Sequence, residues 1–437
     1  MFQFGLFLLV TAVLIVRPTD LIPGLAGLPI YELVVLGALL VSAPKIAGQL
    51  MPAALAARPV TAFVLGVLAA VVASHLVRLR TWEAQDSGLM YLKVALYYLL
   101  LVASIRSVSR LRLFLRCVVG LMAVHVGFAL LQYAGAIDVE TLRSYREKQL
   151  DLETGLTEEL PRLRGAGIFN DPNEFCVLLS VGVLLSLYLL GDRRAGAGRG
   201  VWVIPLAAFA TAVPLTHSRG GMLALLAGLG AFAADRYGLR RGLLILAVTL
   251  PVVLVALAGR QTSFDLTDPN DTSQHRVLLW SDGLMLFRES PLFGTGQGTF
   301  PELAGQAAHN SFIEAYAEIG LLGGSCFFAA VAYPVWALWR LRRRLDPQRQ
   351  PGLCRLRGYL LASLVTQTVG MMSLSRIYTQ PTYLLIGLGT VFLGLAAEVV
   401  PGAAPRLNPR LAFRLAVAGG ACLAALHVLT VLLVNRS

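Results

Sequence analysis

Thirteen apolar segments follow one another along the chain, and most are about as long as a helix that crosses a lipid bilayer. They lie near residues 2–16, 24–43, 57–77, 88–104, 113–135, 173–190, 201–215, 221–234, 242–258, 311–339, 358–375, 382–398 and 411–434. Only 14% of the residues are charged, whereas soluble domains carry about 25%. The sequence therefore predicts an all-α, polytopic integral membrane protein with about twelve, or thirteen, transmembrane helices.

The basic residues indicate how this protein is oriented. Four short loops rich in Lys and Arg lie at 105–112, 191–200, 235–242 and 339–357, on alternate connections between the apolar segments. The positive-inside rule places such loops in the cytoplasm. This rule also accounts for much of the net charge of +12, so nucleic acid is not an expected partner. The N-terminus is then inside, and its apolar start, which lacks a basic leader and a cleavage site, is expected to remain as a span.

The loops expected on the outer face are 136–171, 216–220, 259–310 and 376–381. Two of them are long, and long loops in compact proteins are usually functional. The middle of loop 136–171 carries both charge signs and is interpreted as a possible short amphipathic helix. The expected organisation has five parts: N-terminal helices at 1–135, a loop at 136–171, central helices at 172–258, a large loop with catalytic elements at 259–310, and C-terminal helices at 311–437.

Two outer loops end in residues that are typical of helix starts. In the first, Asp171 is expected to cap a helix that begins with Pro172, with Glu174 as its capping-box partner. In the second, Ser311 and Glu314 form the same S-x-x-E pattern. Capping is an equally available interpretation of Asn170, Asn173 and Asn310. Because helix N-termini attract anions, the two starts also indicate a site for a phosphate-bearing group.

Capping does not explain His309, which precedes the second helix. It does not explain the outer-face arginines either. Arg219 lies in a tight outer turn, where the positive-inside rule disfavours it, and Arg276 follows in the large loop. Snorkelling to lipid phosphate or an ion pair with an acidic loop residue are structural alternatives. We favour phosphate binding for both arginines, since a guanidinium grips phosphate with two hydrogen bonds; for Arg164 the alternatives weigh equally.

The other histidines fall into two groups. His75, His125 and His427 lie in apolar runs and are expected to be hydrogen-bonded helix residues. His217 and His275 flank the two arginines and are candidates for supporting them. No clustered metal-binding motif occurs in the outer loops, and the spacing of Asp268 and Asp271 is only a weak indication of a divalent cation. No metal and no cofactor is expected.

Four stretches occur in one order along the chain: "GIFNDPNEF", "THSRGGMLAL", "HRVLLW…PLFGTGQGTF" and "HNSFIEAYAEIGLLG". Together they resemble the O-antigen ligase and O-antigen polymerase superfamily of bacterial envelope glycosyltransferases. The last stretch fits the ligase-type pattern H-[NSQ]-x9-G-x-x-[GTY], with His309, Asn310, Gly320 and Gly323 at the specified positions. The resemblance covers 164–323, while the preceding helices match in hydropathy alone.

The resemblance implies a fold akin to the C-type glycosyltransferases, with two long periplasmic loops, and a reaction at the periplasmic face of the bacterial inner membrane. Such enzymes take a glycan from undecaprenyl diphosphate, and ligases attach it to lipid A–core with inversion and without a metal. Arg219 and Arg276 match the essential arginines of the family, and His309 matches its essential histidine. The remaining candidates for contact with the diphosphate or the acceptor are Arg164, Asn173, His217, His275 and Asn310.

Three alternatives stay open at this point. An O-antigen polymerase uses the same donor but a second lipid-linked glycan as acceptor. A protein O-oligosaccharyltransferase transfers the glycan to protein hydroxyls. A transporter or flippase is the non-enzymatic alternative, although its charges tend to lie near the bilayer midplane on broken helices of related halves, and the two halves of this chain do not match.

Overall fold

The computed structural model describes residues 2–25, 27–150, 157–257 and 272–434, and helices make up most of them. The α-helices of these ranges are, in chain order, α1 (Phe2–Val16), α2 (Pro18–Leu21), α3 (Ile30–Leu50), α4 (Pro52–Ala57), α5 (Pro59–Leu76), α6 (Thr81–Ser104), α7 (Val108–Tyr133), α8 (Pro172–Leu190), α9 (Val203–Leu215), α10 (Arg219–Tyr237), α11 (Leu239–Leu257), α12 (Thr272–Glu289), α13 (Phe300–Ala304), α14 (Ser311–Leu341), α15 (Pro351–Gly370), α16 (Gln380–Ala397) and α17 (Pro409–Val434). Short 3₁₀ helices occur at Pro23–Leu25, Glu140–Leu142, Gly167–Phe169 and Arg193–Trp202.

Within the described ranges, ten helical segments are long and apolar enough to cross a membrane. They are formed by α1, α3, α5, α6, α7, α8, α9, α14, α16 and α17. The three remaining predicted apolar segments are also helical, as α10, α11 and α15. The prediction of an all-α, polytopic membrane protein is therefore confirmed, with ten spans by length and composition in the part of the chain that the structure describes.

The prediction of an amphipathic helix in loop 136–171 is wrong for the residues that the structure describes there. Strand β1 (Tyr145–Leu150) pairs antiparallel with strand β2 (Thr157–Arg162). Opposite charges lie across the pair, and Arg146 Nη1 is 3.0 Å from Glu159 Oε2. Cross-strand charge pairs stabilise a hairpin, so the mixture of charge signs serves strand pairing.

The helices form two compact units. The first consists of Met1–Ala43, Ser104–Phe232 and Gly358–Gly370. In it α7 packs on α1 and α9, and α8 packs on α9. A methyl group on Gly182 of α8 would lie 2.8 Å from the ring of Phe209 on α9, so this glycine permits the close approach of the two helices. The hairpin belongs to this unit.

The second unit consists of Pro44–Ala103, Ala233–Arg357 and Met371–Ser437. Helix α14 is its centre and packs on α5, α12, α16 and α17. A buried ion pair fixes the far end of this unit, because Arg357 Nη1 and Nη2 lie 2.8 and 2.7 Å from the two carboxylate oxygens of Asp235. The other end of α14, at Ser311, belongs to the candidate site.

The three histidines expected to be hydrogen-bonded helix residues are confirmed as such. Their partners are the Gln297 carbonyl and the Ser87 hydroxyl for His75, the Ala166 N–H for His125 and the Arg288 guanidinium for His427, at 3.0 to 3.1 Å. His75 and His125 are buried, and buried polar side chains need such partners, so these two histidines have structural roles.

Candidate functional site

The N-cap of helix α14 lies one residue earlier than the capping-box prediction placed it. The N-cap is Asn310, whose Oδ1 accepts hydrogen bonds from Phe312 N and Ile313 N at 3.1 and 3.2 Å. The predicted capping box of Ser311 and Glu314 is therefore wrong, because Ser311 is already the first helical residue. Asn310 is fully buried, and its Nδ2 has no hydrogen-bond partner among the described residues.

The loop after α15 holds this helix start in place. The Ser311 hydroxyl donates to Leu374 O at 2.6 Å and accepts from Arg376 N at 2.8 Å. The main-chain N–H of His309 donates to the hydroxyl of Ser375 at 3.1 Å. The serine of the S-x-x-E pattern thus anchors a distant loop, and the same loop fixes the backbone of His309.

His309 has a left-handed backbone, with φ of 48°. His217 in the first unit has the same conformation, with φ of 49°, and also lies one residue before a helix cap, since Ser218 Oγ accepts from Gly221 N at 3.1 Å. Histidine is among the non-glycine residues that adopt this conformation most often, and a non-glycine residue held there is a common feature of functional sites. Both predicted outer-face histidines of this kind are half-buried.

Arg276 lies on the face of α12 that meets the start of α14. It is followed on that face by Leu279 and Gly283, three and seven residues later. Leu279 packs in one buried cluster with Ala308, the residue before His309. A methyl group on Gly283 would lie 2.6 Å from Cγ2 of Ile313. Arg276 therefore projects from the same helix face that contacts the segment carrying His309.

His275 makes a second connection between these two segments. Its Nε2 donates to Gln306 Oε1 at 3.1 Å, and Gln306 lies three residues before His309. The His275 side chain is exposed. The structure thus places His275 and Arg276 on a helix that packs against the segment carrying His309 and Asn310.

Glu318 organises the interior of this site, although the sequence analysis gave it no role. The side chain is fully buried, with Oε1 accepting from Phe300 N at 3.1 Å and Oε2 from the Tyr378 hydroxyl at 2.9 Å. Its carbonyl accepts from Gly296 N at 2.9 Å. Glu318 therefore ties the glycine-rich segment 294–298, the start of α13 and the loop after α15 to α14. A carboxylate inside an apolar helix is the signal that would have found it.

Tyr378 keeps its proton under all ordinary conditions. Burial is the main reason that its pKa lies well above the ordinary value of 10, and the neighbouring Glu318 raises it further. A phenol that stays protonated is a lasting hydrogen-bond donor to the Glu318 carboxyl. The loop that fixes the His309 backbone is thus anchored to α14 at a second point.

The glycines of the H-N-x9-G-x-x-G pattern have a structural explanation. Gly320 interrupts α14 with φ of 64°, and a methyl group there would lie 2.4 Å from the carbonyl carbon of Leu292. Across this break, Leu321 N donates to Pro291 O at 2.7 Å. A methyl group on Gly323 would lie 2.7 Å from Cβ of Ala70 on α5. The pattern therefore combines a helix start with the break and the close packing that hold it.

The candidate site residues of the first unit include residues at the starts of α8 and α10. Asp171 caps α8 as predicted, because its Oδ1 accepts from Asn173 N at 2.8 Å and from Glu174 N at 3.0 Å. Arg219 is the first residue of α10, directly after the turn formed by residues 216–218. Asn173 and this turn are linked by Arg162, which the sequence analysis overlooked.

Arg162 and Arg164 have different environments. The Arg164 Nε donates to Arg143 O at 2.6 Å in a solvent-accessible setting. Arg162 is 7% exposed and donates from Nε to Thr216 O and from Nη2 to the Asn173 side chain, each at 2.9 Å. Nothing in the local sequence distinguishes the two arginines, since both precede the same helix.

The candidate site residues belong to two units. The first unit contains Arg164, Asn173, His217 and Arg219, and the second contains His275, Arg276, His309 and Asn310. Among the described residues, no three His, Cys, Asp or Glu side chains are grouped closely enough to hold a metal ion. The weak cation candidates Asp268 and Asp271 lie outside the described residues.

The family comparison covers most of these features. Residues 204–328 match the model of a protein family described as O-antigen ligase. This segment includes Arg219, Arg276, His309 and the break at Gly320, and members of the family are glycosyltransferase-type enzymes. The chain thus resembles this family over that segment, and its helical fold is consistent with a member of that superfamily. No curated protein and no solved structure matches it.

Proposed function

We propose that this protein is an O-antigen ligase of the bacterial inner membrane. It transfers a glycan from undecaprenyl diphosphate to a sugar hydroxyl of lipid A–core on the periplasmic side and so completes lipopolysaccharide. The family match over 204–328 and the multi-pass helical fold support this assignment. The alternation of basic loops supports the orientation.

The proposed reaction is a displacement with inversion. The acceptor oxygen attacks the anomeric carbon of the glycan, and a new glycosidic C–O bond forms as the bond to the diphosphate breaks. Undecaprenyl diphosphate leaves with the electron pair, and the proton of the acceptor hydroxyl passes to a base. The reaction involves no oxidation or reduction, so it needs no redox partner.

His309 is the proposed base. An imidazole has an unperturbed pKa of about 6.5, which suits it to accept a proton near neutral pH. Its backbone is fixed on one side by Ser375 and on the other by the helix cap at Asn310. A base that is held in this way needs little reorganisation when the acceptor arrives.

Arg219 and Arg276 are the proposed ligands of the diphosphate. Arg219 is the first residue of α10, where the free N–H groups and the helix dipole also favour an anion. Arg276 lies on α12. Positive charge at the leaving group stabilises the transition state, in which negative charge builds up on the diphosphate. His217, two residues before Arg219, and His275, next to Arg276, are proposed to orient the two arginines. Arg164, Asn173 and Asn310 remain proposed contacts to the substrates.

The observation that carries the proposal is the face of α12 formed by Arg276, Leu279 and Gly283. Leu279 shares a buried cluster with Ala308, and Gly283 lies against Ile313, so this face meets the chain before and after the His309–Asn310 pair. The arginine proposed to bind phosphate and the histidine proposed as base thus lie on segments that pack together. This is the pair of functions that transfer from a sugar diphosphate requires.

The test is an acceptor assay with purified protein in detergent and a lipid-linked glycan. Product that forms only when lipid A–core is added is the expected result. Longer lipid-linked chains without lipid A–core would instead identify a polymerase, and glycan on a supplied acceptor protein would identify a protein O-oligosaccharyltransferase. Absence of every product, while vesicles containing the protein move the lipid-linked glycan between leaflets, would overturn the enzyme assignment in favour of a flippase.

A further inference from the structure

The guanidinium of Arg162 joins three elements of the first unit. Nε donates to Thr216 O at 2.9 Å, Nη2 donates to Asn173 Oδ1 at 2.9 Å, and Nη1 forms an ion pair with Glu147 Oε2 at 3.0 Å. These partners lie at the end of α9, at the start of α8 and on β1. Because Arg162 itself ends β2, one buried side chain connects the hairpin to two helix ends.

The contact with Thr216 satisfies a carbonyl group that the helix cannot satisfy. The last carbonyls of a helix have no partner within it, and Thr216 is the residue directly after α9. The residue after β2 also binds the end of α9, since Leu163 N donates to Leu215 O at 2.8 Å. The chain after β2 therefore holds the end of α9 by two consecutive hydrogen bonds.

The held carbonyl lies three residues before Arg219. The intervening turn is tightly defined: Thr216 and Ser218 are buried, His217 has its left-handed backbone, and Ser218 Oγ caps α10. A displacement of Thr216 would be passed directly to the first residue of α10. The position of the Arg219 main chain thus depends on where Arg162 holds this turn.

The geometry requires an arginine. Three nitrogens of one planar group donate in three directions, to a carbonyl, an amide and a carboxylate. A lysine carries the same charge on a single nitrogen and has a different reach, so it cannot reproduce the three contacts. Charge alone therefore does not explain the residue at this position.

We infer that Arg162 is a positioning residue for the donor diphosphate: it fixes the 216–218 turn and so places Arg219 for contact with the phosphates. This inference rests on the proposed role of Arg219. It assigns a function to the hairpin of loop 136–171, which anchors the arginine through Glu147. A purely structural role of Arg162 would stabilise the hairpin without affecting diphosphate binding.

The test measures binding of undecaprenyl diphosphate, without a glycan, to purified full-length protein. Arg162→Lys is expected to weaken binding about tenfold, as is Arg219→Lys, and the double variant is expected to bind about as weakly as Arg219→Lys alone. Such non-additivity is the signature of two residues that act through one interaction. Arg146→Ala is the matched control, because it removes an exposed ion pair of the same hairpin, and its binding should be unchanged.

Two results would overturn the inference while leaving the role of Arg219 intact. One is wild-type binding by Arg162→Lys, and the other is a double variant in which the two losses multiply. If Arg219→Lys and Arg219→Ala both bind like the wild type, the proposed function of Arg219 fails instead. Should Arg162→Lys not fold, Glu147→Gln keeps an oxygen acceptor for Arg162 and removes only the charge; a two- to threefold loss that disappears in the Arg219→Lys background is expected, and an unchanged affinity would contradict the inference.

Discussion

The main-chain N–H of His309 and the side-chain hydroxyl of Ser375 are joined by a hydrogen bond of 3.1 Å across 66 residues of sequence. The bond fixes the residue before the cap of α14 to the loop after α15. A left-handed histidine at a helix start is thereby held by a contact from outside its own segment.

Ser375→Ala removes this anchor and leaves the N–H of His309 without its acceptor. We expect transfer activity to fall about tenfold, because a small misplacement of a catalytic group is costly, and stability to fall by about 1 kcal/mol. Activity and melting temperature of the purified variants measure the two effects. Met372→Ala, in the same loop with an exposed side chain, is the control; an equal loss of activity there would argue against the anchor.

Gly320→Ala tests the break in α14. The new methyl group would meet the main chain of Leu292 at 2.4 Å, and the positive φ disfavours any side chain. We expect a loss of stability of more than about 1 kcal/mol, seen as a lower melting temperature in detergent. Gly394→Ala in α16, which has open space at this position, should be neutral or stabilising. Equal melting temperatures for both variants would show that the break is not required.

The burial of the Tyr378 hydroxyl should be visible in alkaline solution. The pKa of Tyr378 is raised in the folded protein, so the folded state keeps a proton that the unfolded state loses above about pH 10. This contribution to stability is complete below about pH 10 and is lost as the pH rises further. Melting temperatures across this range should fall more steeply for the wild type than for Tyr378→Phe; parallel curves would contradict the assignment.

Arg276→Lys tests whether the proposed phosphate contact needs the two-pronged guanidinium or only a positive charge. We expect a loss of catalytic efficiency of at least about tenfold, since lysine cannot grip phosphate with a two-pronged contact. Arg288→Lys on the same helix is the control, because Arg288 donates to His427 and is not part of the site. Full activity of Arg276→Lys would show that positive charge alone is sufficient.

The sequence was most informative where local chemistry decides the structure. Each of the thirteen apolar segments overlaps a helix, although ten rather than twelve or thirteen meet the length and composition of a span in the described ranges. The Asp-Pro pair identified the start of α8. It was less informative where two local solutions compete. Asn310 and Ser311 are both good caps, and Ser311 is excluded because its hydroxyl bridges Leu374 and Arg376, more than sixty residues away.

The remaining features depend on contacts between distant segments. Arg162 and Arg164 look equivalent until the end of α9 is placed beside the hairpin. The break at Gly320 follows from the approach of Leu292, and the role of Glu318 follows from three segments that converge on it. Hydropathy and residue spacing carry no information about contacts between distant segments. They therefore predict which helices form, but not where a helix is interrupted or held by another segment.

The central claim is that His309 takes the proton from the acceptor hydroxyl. The most direct measurement is the single-turnover rate of glycan transfer from the lipid-linked donor to lipid A–core, for the wild type and His309→Ala, with binding of undecaprenyl diphosphate measured on the same preparations. We expect a rate that is lower by about 10²–10⁴-fold in His309→Ala, with donor binding retained. A wild-type transfer rate in this variant would contradict it.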